Sequence, residues 1–390
     1  MPIHGSTAHG QPWTHQAFMP HPLGATSPDL SGDAYRRVAD ARAALAGLDA
    51  TARRLPNPQL FRHGSLRVEA QSTAALEGTY EPLPRVMSTD ASDTLDGSMQ
   101  EVLNFLTVAN TAFAWNDQGR RWTVSAICEL QRQLLVRTAG ARDFGVRPIQ
   151  VVVGSRPDAA GSHPVHDARY VPPPPGPHLE AGLADLLDWM QDDHGGEIDP
   201  VVAAAMVHYT FEALHPFHDG NGRIGRLLIV LHLLRVGVLH EPSISVSPWF
   251  ERRRLEYYER LLGVSTRGDW SSWVEFFAAG LAASATDATT RMMALADVQS
   301  DLKRQVQESP LRSANAHRLV DLAIDQPIFT ARQAADYLSV QPPGANKLIE
   351  SLVGIGVLKP YGERSYGRQY HSPRVLRILL ERNEGYDAAT

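Results

Sequence analysis

The chain has 390 residues, 43% hydrophobic and 21% charged, enough for an ample core in two or three domains. A net charge of -6 exerts no global pull towards nucleic acid or an anionic membrane. The single cysteine, Cys128, excludes an internal disulfide and fits a reducing cytosol. With no basic-then-apolar leader and no apolar run of the ~18–20 residues that span a bilayer, a cytoplasmic protein is expected.

Residues 1 to about 31 are rich in Pro, His, Gly, Ser and Thr and read as an extended or irregular arm packed along the surface. Residues 33–52 carry Ala and Leu at helical spacing, and Pro56 and Pro58 stop that helix, so an N-terminal arm and helix are placed at 1–54. Leu66 to Leu76 reads as a further helix, closed by Glu77 and Gly78; glycine is the natural residue just past a helix end. Thr73 and Glu77 lie four apart and share a face. Residues 79–98 are turn-rich and acidic, and 99–115 and 123–138 read as two helices with apolar stripes, the second packing Cys128 as a small hydrophobe. Phe144 to Val153, FGVRPIQVVV, switches to β-branched runs. Gly154 to His166 is turn-like, and Tyr170 to Pro177 is an extended polyproline segment. On its residues alone this region is a plain structural hairpin. Leu179 to Asp193 is an amphipathic helix.

Two apolar helical runs follow, Pro200–Leu214 and Leu227–Val238, and the polar stretch between them carries the chemistry: HPFHDGNGRIGR, residues 215–226. Gly220, Asn221 and Gly222 open the second helix, where converging N–H groups and partial positive charge favour an anion. Arg223 and Arg226 lie three apart and both reach towards a polyphosphate; Asp219 is a hard oxygen donor suited to Mg²⁺; His215 is placed to take a proton from a hydroxyl. These are the parts of a phosphoryl or nucleotidyl transferase. Singly, each has a mundane reading, such as a Gly-Asn-Gly connection or capping histidines. The chemical rival is a zinc site of His208, His215, His218 and Asp219, but the spacing is not H-E-x-x-H.

Every fixed position of the pattern H-x-F-x-[D/E]-G-N-G-R-x-x-R is matched, and the chain thereby resembles the Fic (Fic/Doc, or Fido) family. The resemblance implies a mostly α, Fic-type helical core over 55–283 with a small β-hairpin flap. It implies transfer of AMP from ATP, with Mg²⁺, to a Tyr, Thr or Ser hydroxyl of a target protein. His215 would be the base and Asp219 the metal carboxylate. Phe217, Gly220, Asn221, Gly222, Arg223 and Arg226 would form the nucleotide and phosphate site, Phe217 as the anchor of the loop. Thr73, Glu77 and Gly78 resemble the family's upstream inhibitory motif, [S/T]-x-x-x-E-[G/N], on a helix at about 66–78. Glu77 would then pair with Arg226, occupying the arginine that holds the γ-phosphate and repelling the phosphate itself. Gln150, Val151, Val152, Val153 and Gly154 would be the flap edge that pairs with the target. The same site could instead remove AMP from a modified protein, with Glu77 orienting water, or transfer UMP or phosphate. Self-modification and oligomerisation stay open.

After the loop at 240–250, Glu251 to Val264 is a helix whose Tyr257 and Tyr258 either wall an adenine pocket or simply pack. Trp270 to Leu281 is a buried aromatic helix, and an Ala-rich helix over 284–308 reads as a spacer, the segment 284–309. Residues 310–373 read as a separate unit: a helix over 312–325, a helix in FTARQAADYL, a turn, a helix in GANKLIESLVGIGVL, then a two-stranded wing. That order resembles a winged helix-turn-helix. Its electrostatic footprint for DNA is thin, with Lys347 beside Glu350 and only Lys359, Arg364 and Arg368 on the wing. Pro342 and Pro343 depart from usual helix-turn-helix chemistry. Protein docking or a structural role is favoured over DNA binding, which leaves a transcription regulator as the rival of another class. Residues 374–390 are a tail.

Overall fold

A computed structural model describes residues 1–6, 12–89, 95–141, 144–159, 164–192, 194, 196–362 and 367–381. The chain opens with β1 (Pro2–Ser6) and β2 (Pro12–Gln16), followed by α1 (Gly32–Arg54), a 3-10 turn (Pro58–Phe61), α2 (Arg62–Leu76), α3 (Leu83–Ser88), α4 (Gly97–Asp117) and α5 (Val124–Leu135). The flap region holds β3 (Val153–Ser155), the short α6 (Pro164–Asp167) and β4 (Ala168–Tyr170). Then come α7 (Pro177–Gln191), α8 (Pro200–Leu214), α9 (Asn221–Arg235), α10 (Ser247–Arg252), α11 (Arg254–Arg267) and α12 (Trp270–Glu308). The C-terminal part comprises α13 (Ala314–Asp325), β5 (Ile328–Thr330), α14 (Ala331–Leu338), α15 (Pro342–Gly354), β6 (Lys359–Tyr361), β7 (Gln369–His371) and α16 (Pro373–Leu380).

The antiparallel pair α8 and α9 sits at the centre. Both helices are apolar nearly all round, which is the pattern of a helix covered on every side. Asp199 caps α8, its carboxylate accepting from Val201 N at 2.8 Å, and Pro200 occupies the first turn, where its missing N–H costs nothing. Trp273 of α12 donates its indole N–H to the Ala205 carbonyl at 3.0 Å, tying α8 to the longest helix. α1 lies along α12, so the N-terminal helix is part of the helical body rather than of a detached arm.

The start of the chain is more regular than an irregular arm. β1 and β2 pair antiparallel, with Ile3 opposite His15, and Ile3 and Ala17 join Val165, Ala168 and Val171 in a second small core against the flap. A bond from Phe18 N to the Val171 carbonyl at 2.8 Å fixes that contact. Residues 79–98, read as turns, contain α3, whose Val86 and Met87 are buried.

The expected spacer over 284–309 is the second half of α12, one helix of 39 residues. No Gly or Pro interrupts the sequence between Leu281 and Pro310. Met292, Leu295, Val298, Leu302 and Val306, three and four apart, are buried, so this half packs rather than bridges. In the C-terminal part the expected wing has a third strand, giving the antiparallel order β5-β7-β6. Pro342 and Pro343 stand in the first turn of α15, where proline is tolerated. Lys347 and Glu350 are both exposed on that helix, and Arg364 lies outside the described residues. The start of the tail is helical: α16 packs on α12, and Arg291 donates to the Ile378 carbonyl at 2.6 Å. This part is not walled off from the rest. Its apolar core is continuous with that of the helical body, and His63 of α2 meets Asp325 of α13 at 2.6 Å.

Candidate active site

The loop between α8 and α9 is bracketed by two left-handed residues. His215 ends α8 at φ 47°, ψ 58°, and Gly220 starts α9 at φ 92°. A non-glycine residue in that region costs of order a kcal/mol and persists only where its surroundings over-determine it. The surroundings do so here. Asn221 braces the loop from both sides: its Oδ1 accepts from Phe217 N and its Nδ2 donates to the Phe217 carbonyl, both at 2.9 Å. Phe217 is fully buried against Phe211, ring centroids 6.1 Å apart. Arg147, to which the sequence reading gave no role, is buried and staples the loop. Its Nε donates to the His215 carbonyl at 2.8 Å and its Nη2 to the Pro173 carbonyl at 2.6 Å, while its own N–H reaches the Pro216 carbonyl at 2.9 Å. Burial lowers its pKa to about 10, still charged at neutral pH. The only signal for it was its place just before the apolar strand run.

Beside this loop opens a cavity of about 410 Å³, within the range of small-ligand sites. His215, Asp219, Gly220, Asn221, Gly222 and Arg226 reach it from the loop and α9, and Glu77 enters from the end of α2. Burial pulls the His215 imidazole down to about 4, opposed by Glu77 and by a hydrogen bond with the Glu212 carbonyl, so the ring is neutral at pH 7 and free to accept a proton. Asp219 stays partly exposed; its Oδ1 accepts from Arg223 Nη2 at 2.8 Å. A carboxylate open to the cavity next to a helix start fits a hard divalent cation.

Arg223 is not in the cavity wall. It is buried, and its guanidinium holds Asp219 on one side and Glu101, 3.3 Å away, on the other. Of the two arginines expected to meet a polyphosphate, Arg226 lines the cavity and Arg223 does not; Arg223 is bonded to Asp219 instead. Arg226 is buried and doubly engaged. Its Nε donates to Thr73 Oγ1 at 2.8 Å, and its Nη2 to the Thr73 carbonyl at 3.0 Å and to Glu77 Oε1 at 2.7 Å. Burial pushes the Glu77 carboxyl up, but Arg226, helped by Arg223 and His215, outweighs it and holds the group below the ordinary carboxylate value. Gly222 makes the contact sterically feasible, since a Cβ there would collide with Glu77 Oε1.

The flap exists but starts later than expected. β3 covers Val153 and Gly154, running to Ser155, and pairs antiparallel with β4, Val153 opposite Tyr170. Gln150, Val151 and Val152 precede the strand. Gln150 donates its side-chain amide to the Val151 and Pro172 carbonyls at 2.9 and 3.0 Å, and Val152 packs on the N-terminal hairpin's small core. Val153 and Gly154 line the cavity; the other three do not.

Of the two aromatic residues on α11, Tyr257 is first a core residue. It is buried, its hydroxyl meets His208 Nε2 at 2.7 Å, and its ring stacks on Phe250, centroids 5.1 Å apart. Only part of it faces the cavity. His208 uses its other nitrogen on the Gly225 carbonyl at 3.0 Å, so neither nitrogen is left for a metal. Tyr258 is half-buried in the cavity wall and donates to the Leu76 carbonyl at 3.1 Å. One acidic residue of the wall, Glu212, also escaped the sequence reading. It lies three before His215 inside an apolar helix, where a lone glutamate reads as helix surface.

Residues 121–233 match the Fic/DOC family and residues 35–114 match the Fic/DOC family N-terminal region. The chain thus carries a Fic/DOC region, preceded by the N-terminal region of that family. Protein adenylyltransferase fic-1 of Caenorhabditis elegans is 32% identical over 156 residues, 40% of this chain and 26% of that relative. Protein adenylyltransferase Fic of Drosophila ananassae is 28% identical over 244 residues, 61% of this chain and 44% of the relative. The chain thus spans about a quarter of the length of the first curated relatives it matches. A crystal structure of a Fic family protein from Desulfovibrio desulfuricans G20 superposes with a TM-score of 0.54 at 19% identity, covering 89% of this chain and 98% of that one, which establishes the shared fold.

Proposed function

We propose that this protein is a protein adenylyltransferase held in check by Glu77. The relatives named as adenylyltransferases support the reaction class. The observation that carries the reading is the grip on Arg226: Thr73 of α2 and Glu77 at its C-terminal end occupy a cavity-facing guanidinium beside a glycine-lined helix start. A γ-phosphate bound to that helix start would seek the same arginine, and a carboxylate in its place both blocks and repels it.

In the proposed reaction, ATP lays its phosphates on the start of α9, where the first N–H groups lack intrahelical acceptors. A target hydroxyl, presented against the flap strand at Val153 and Gly154, gives its proton to the neutral His215 ring. Its oxygen forms a bond to the α-phosphorus while the bond to the bridging oxygen breaks, and pyrophosphate leaves. Asp219 is the carboxylate that would hold Mg²⁺ on the phosphates, and the ion when bound would offset charge developing on the leaving group. Arg223 fixes Asp219 for that task. A target protein is the implied partner, and the protein's own hydroxyls are the first candidates in a purified sample.

The test is intact mass after incubation with ATP and Mg²⁺. The expected result is added AMP on Glu77→Gly, little on the wild type, and none on the double variant Glu77→Gly, His215→Ala. Equal labelling of all three would overturn the reading.

A further inference from the structure

One end of the cavity lies between one face of α8, carrying Tyr209, Glu212 and Ala213, and one face of α11, carrying Tyr258, Leu261 and Ser265. It is apolar and aromatic, and its hydroxyls are engaged. Tyr209 and Ser265 bond each other at 2.9 Å; Tyr170 donates to the Ala213 carbonyl at 2.7 Å; Tyr258 donates to the Leu76 carbonyl and Tyr257 meets His208. Among the described residues lining this end, the carboxyl of Glu212 is the exception. Its Oε1 is cut off from solvent and has no hydrogen-bond partner. A buried polar atom left unpaired costs about 1–3 kcal/mol, so its retention calls for an explanation. Room has also been made for it: Gly225 of α9 stands opposite, and a Cβ there would collide with Oε1.

Resting on the adenylyltransferase reading, we propose that Glu212 is a specificity residue that hydrogen-bonds the amino-bearing edge of adenine when the nucleotide occupies this cavity. Burial raises the carboxyl to about 8, against the pull of Arg226 and with the help of Glu77, so near neutral pH it carries its proton. A neutral carboxyl presents one O–H donor and one free acceptor. Adenine presents the complement on one edge, an N6 amino donor beside a ring-nitrogen acceptor. Placed in an aromatic slot whose other polar groups are already paired, such a contact would orient the base and so the α-phosphorus with it. A site built to hydrogen-bond an amino group discriminates against an analogue without it, because the buried partner is then left unpaired.

The experiment compares ATP with purine riboside 5′-triphosphate, which lacks the 6-amino group, by calorimetric binding to the full chain in the Glu77→Gly background. Glu212 itself should prefer ATP by about tenfold or more. Glu212→Leu should weaken ATP binding to the analogue's level and abolish the preference. Glu212→Gln keeps both a donor and an acceptor and should retain most of it, which separates base reading from a folding role. An unchanged ATP-to-analogue ratio in Glu212→Leu, in protein that still binds ATP and modifies itself, overturns this inference alone. A Glu77→Gly protein that binds neither triphosphate and modifies nothing overturns the adenylyltransferase reading and this inference together.

Discussion

The loop at 215–220 and the flap at 153–170 face one another across the same cavity, yet they are held in opposite ways. The loop is over-determined: two left-handed residues, an asparagine bridging both faces of Phe217, and a buried arginine bonded to carbonyls on either side. The flap rests on two three-residue strands and a small apolar core shared with the N-terminal hairpin, backed by Tyr170 on Ala213 and by an ion pair of Arg169 with Glu259. The groups proposed to do chemistry are fixed to the body, whereas the strand proposed to present a target keeps only short pairing of its own. Preorganisation is concentrated where charge would develop in the transition state.

The sharpest way to test this division is His215→Ala. Removing a general base costs ~10²–10⁴ in rate, and transfer in the Glu77→Gly background should fall by that factor in a radiolabel assay with little change in melting temperature. Arg147→Ala should show the loop's dependence on its staple. Several carbonyls lose a charged donor at once, and chemical denaturation should report a loss of about 3 kcal/mol or more. If that variant lost no stability, the loop would not be the over-determined element described. Glu77→Gly should raise self-modification at least tenfold while lowering stability by about 1–3 kcal/mol, since Arg226 loses its carboxylate but keeps Thr73. Val153→Pro removes a backbone donor from β3 and should reduce modification of protein targets about tenfold while nucleotide affinity, measured by calorimetry, stays put. Equal loss of both would mean that the flap serves the nucleotide rather than the target.

The smallest effect is set by pH and falls on the helices that carry the loop. His208 of α8 is lowered to about 3 and His232 of α9 to about 4, each chiefly by burial. Both lie below the unfolded value of about 6.5, so the unfolded chain binds more protons as the pH drops. Their contribution is intact above about pH 6.5 and is lost as pH falls towards their folded values, about 0.5–1 kcal/mol each between pH 7 and 6. Urea titrations at the two pH values should show the loss, and His232→Leu should reduce it.

How legible each part was follows from how local its cause is. The residues at 215–226 are contiguous, so their types and spacing were enough to place a base, a carboxylate and a helix start together. The helices α8, α9 and α7 announced themselves through apolar periodicity. The pairing of Glu77 with Arg226, 149 positions apart, was expected through family resemblance, and the structure brings the two together. Arg223 was misplaced because helical spacing says which residues share a face but not which partner that face meets; Asp219 and Glu101 captured it. The strand of the flap slipped from 150–154 to 153–155 because β-branched runs state a preference, while register is set by the partner strand.

From composition, periodicity and one motif, the sequence by itself determined a mostly helical protein with a candidate phosphate-type site at a helix junction. Only the tertiary structure decided which polar groups around that site are already satisfied. Arg147 is bound to carbonyls, Tyr257 to His208, and the buried Oε1 of Glu212 to nothing among the described residues. The reason is physical: a side chain's type is written in the chain, but whether its hydrogen bonds are made depends on neighbours that only folding supplies.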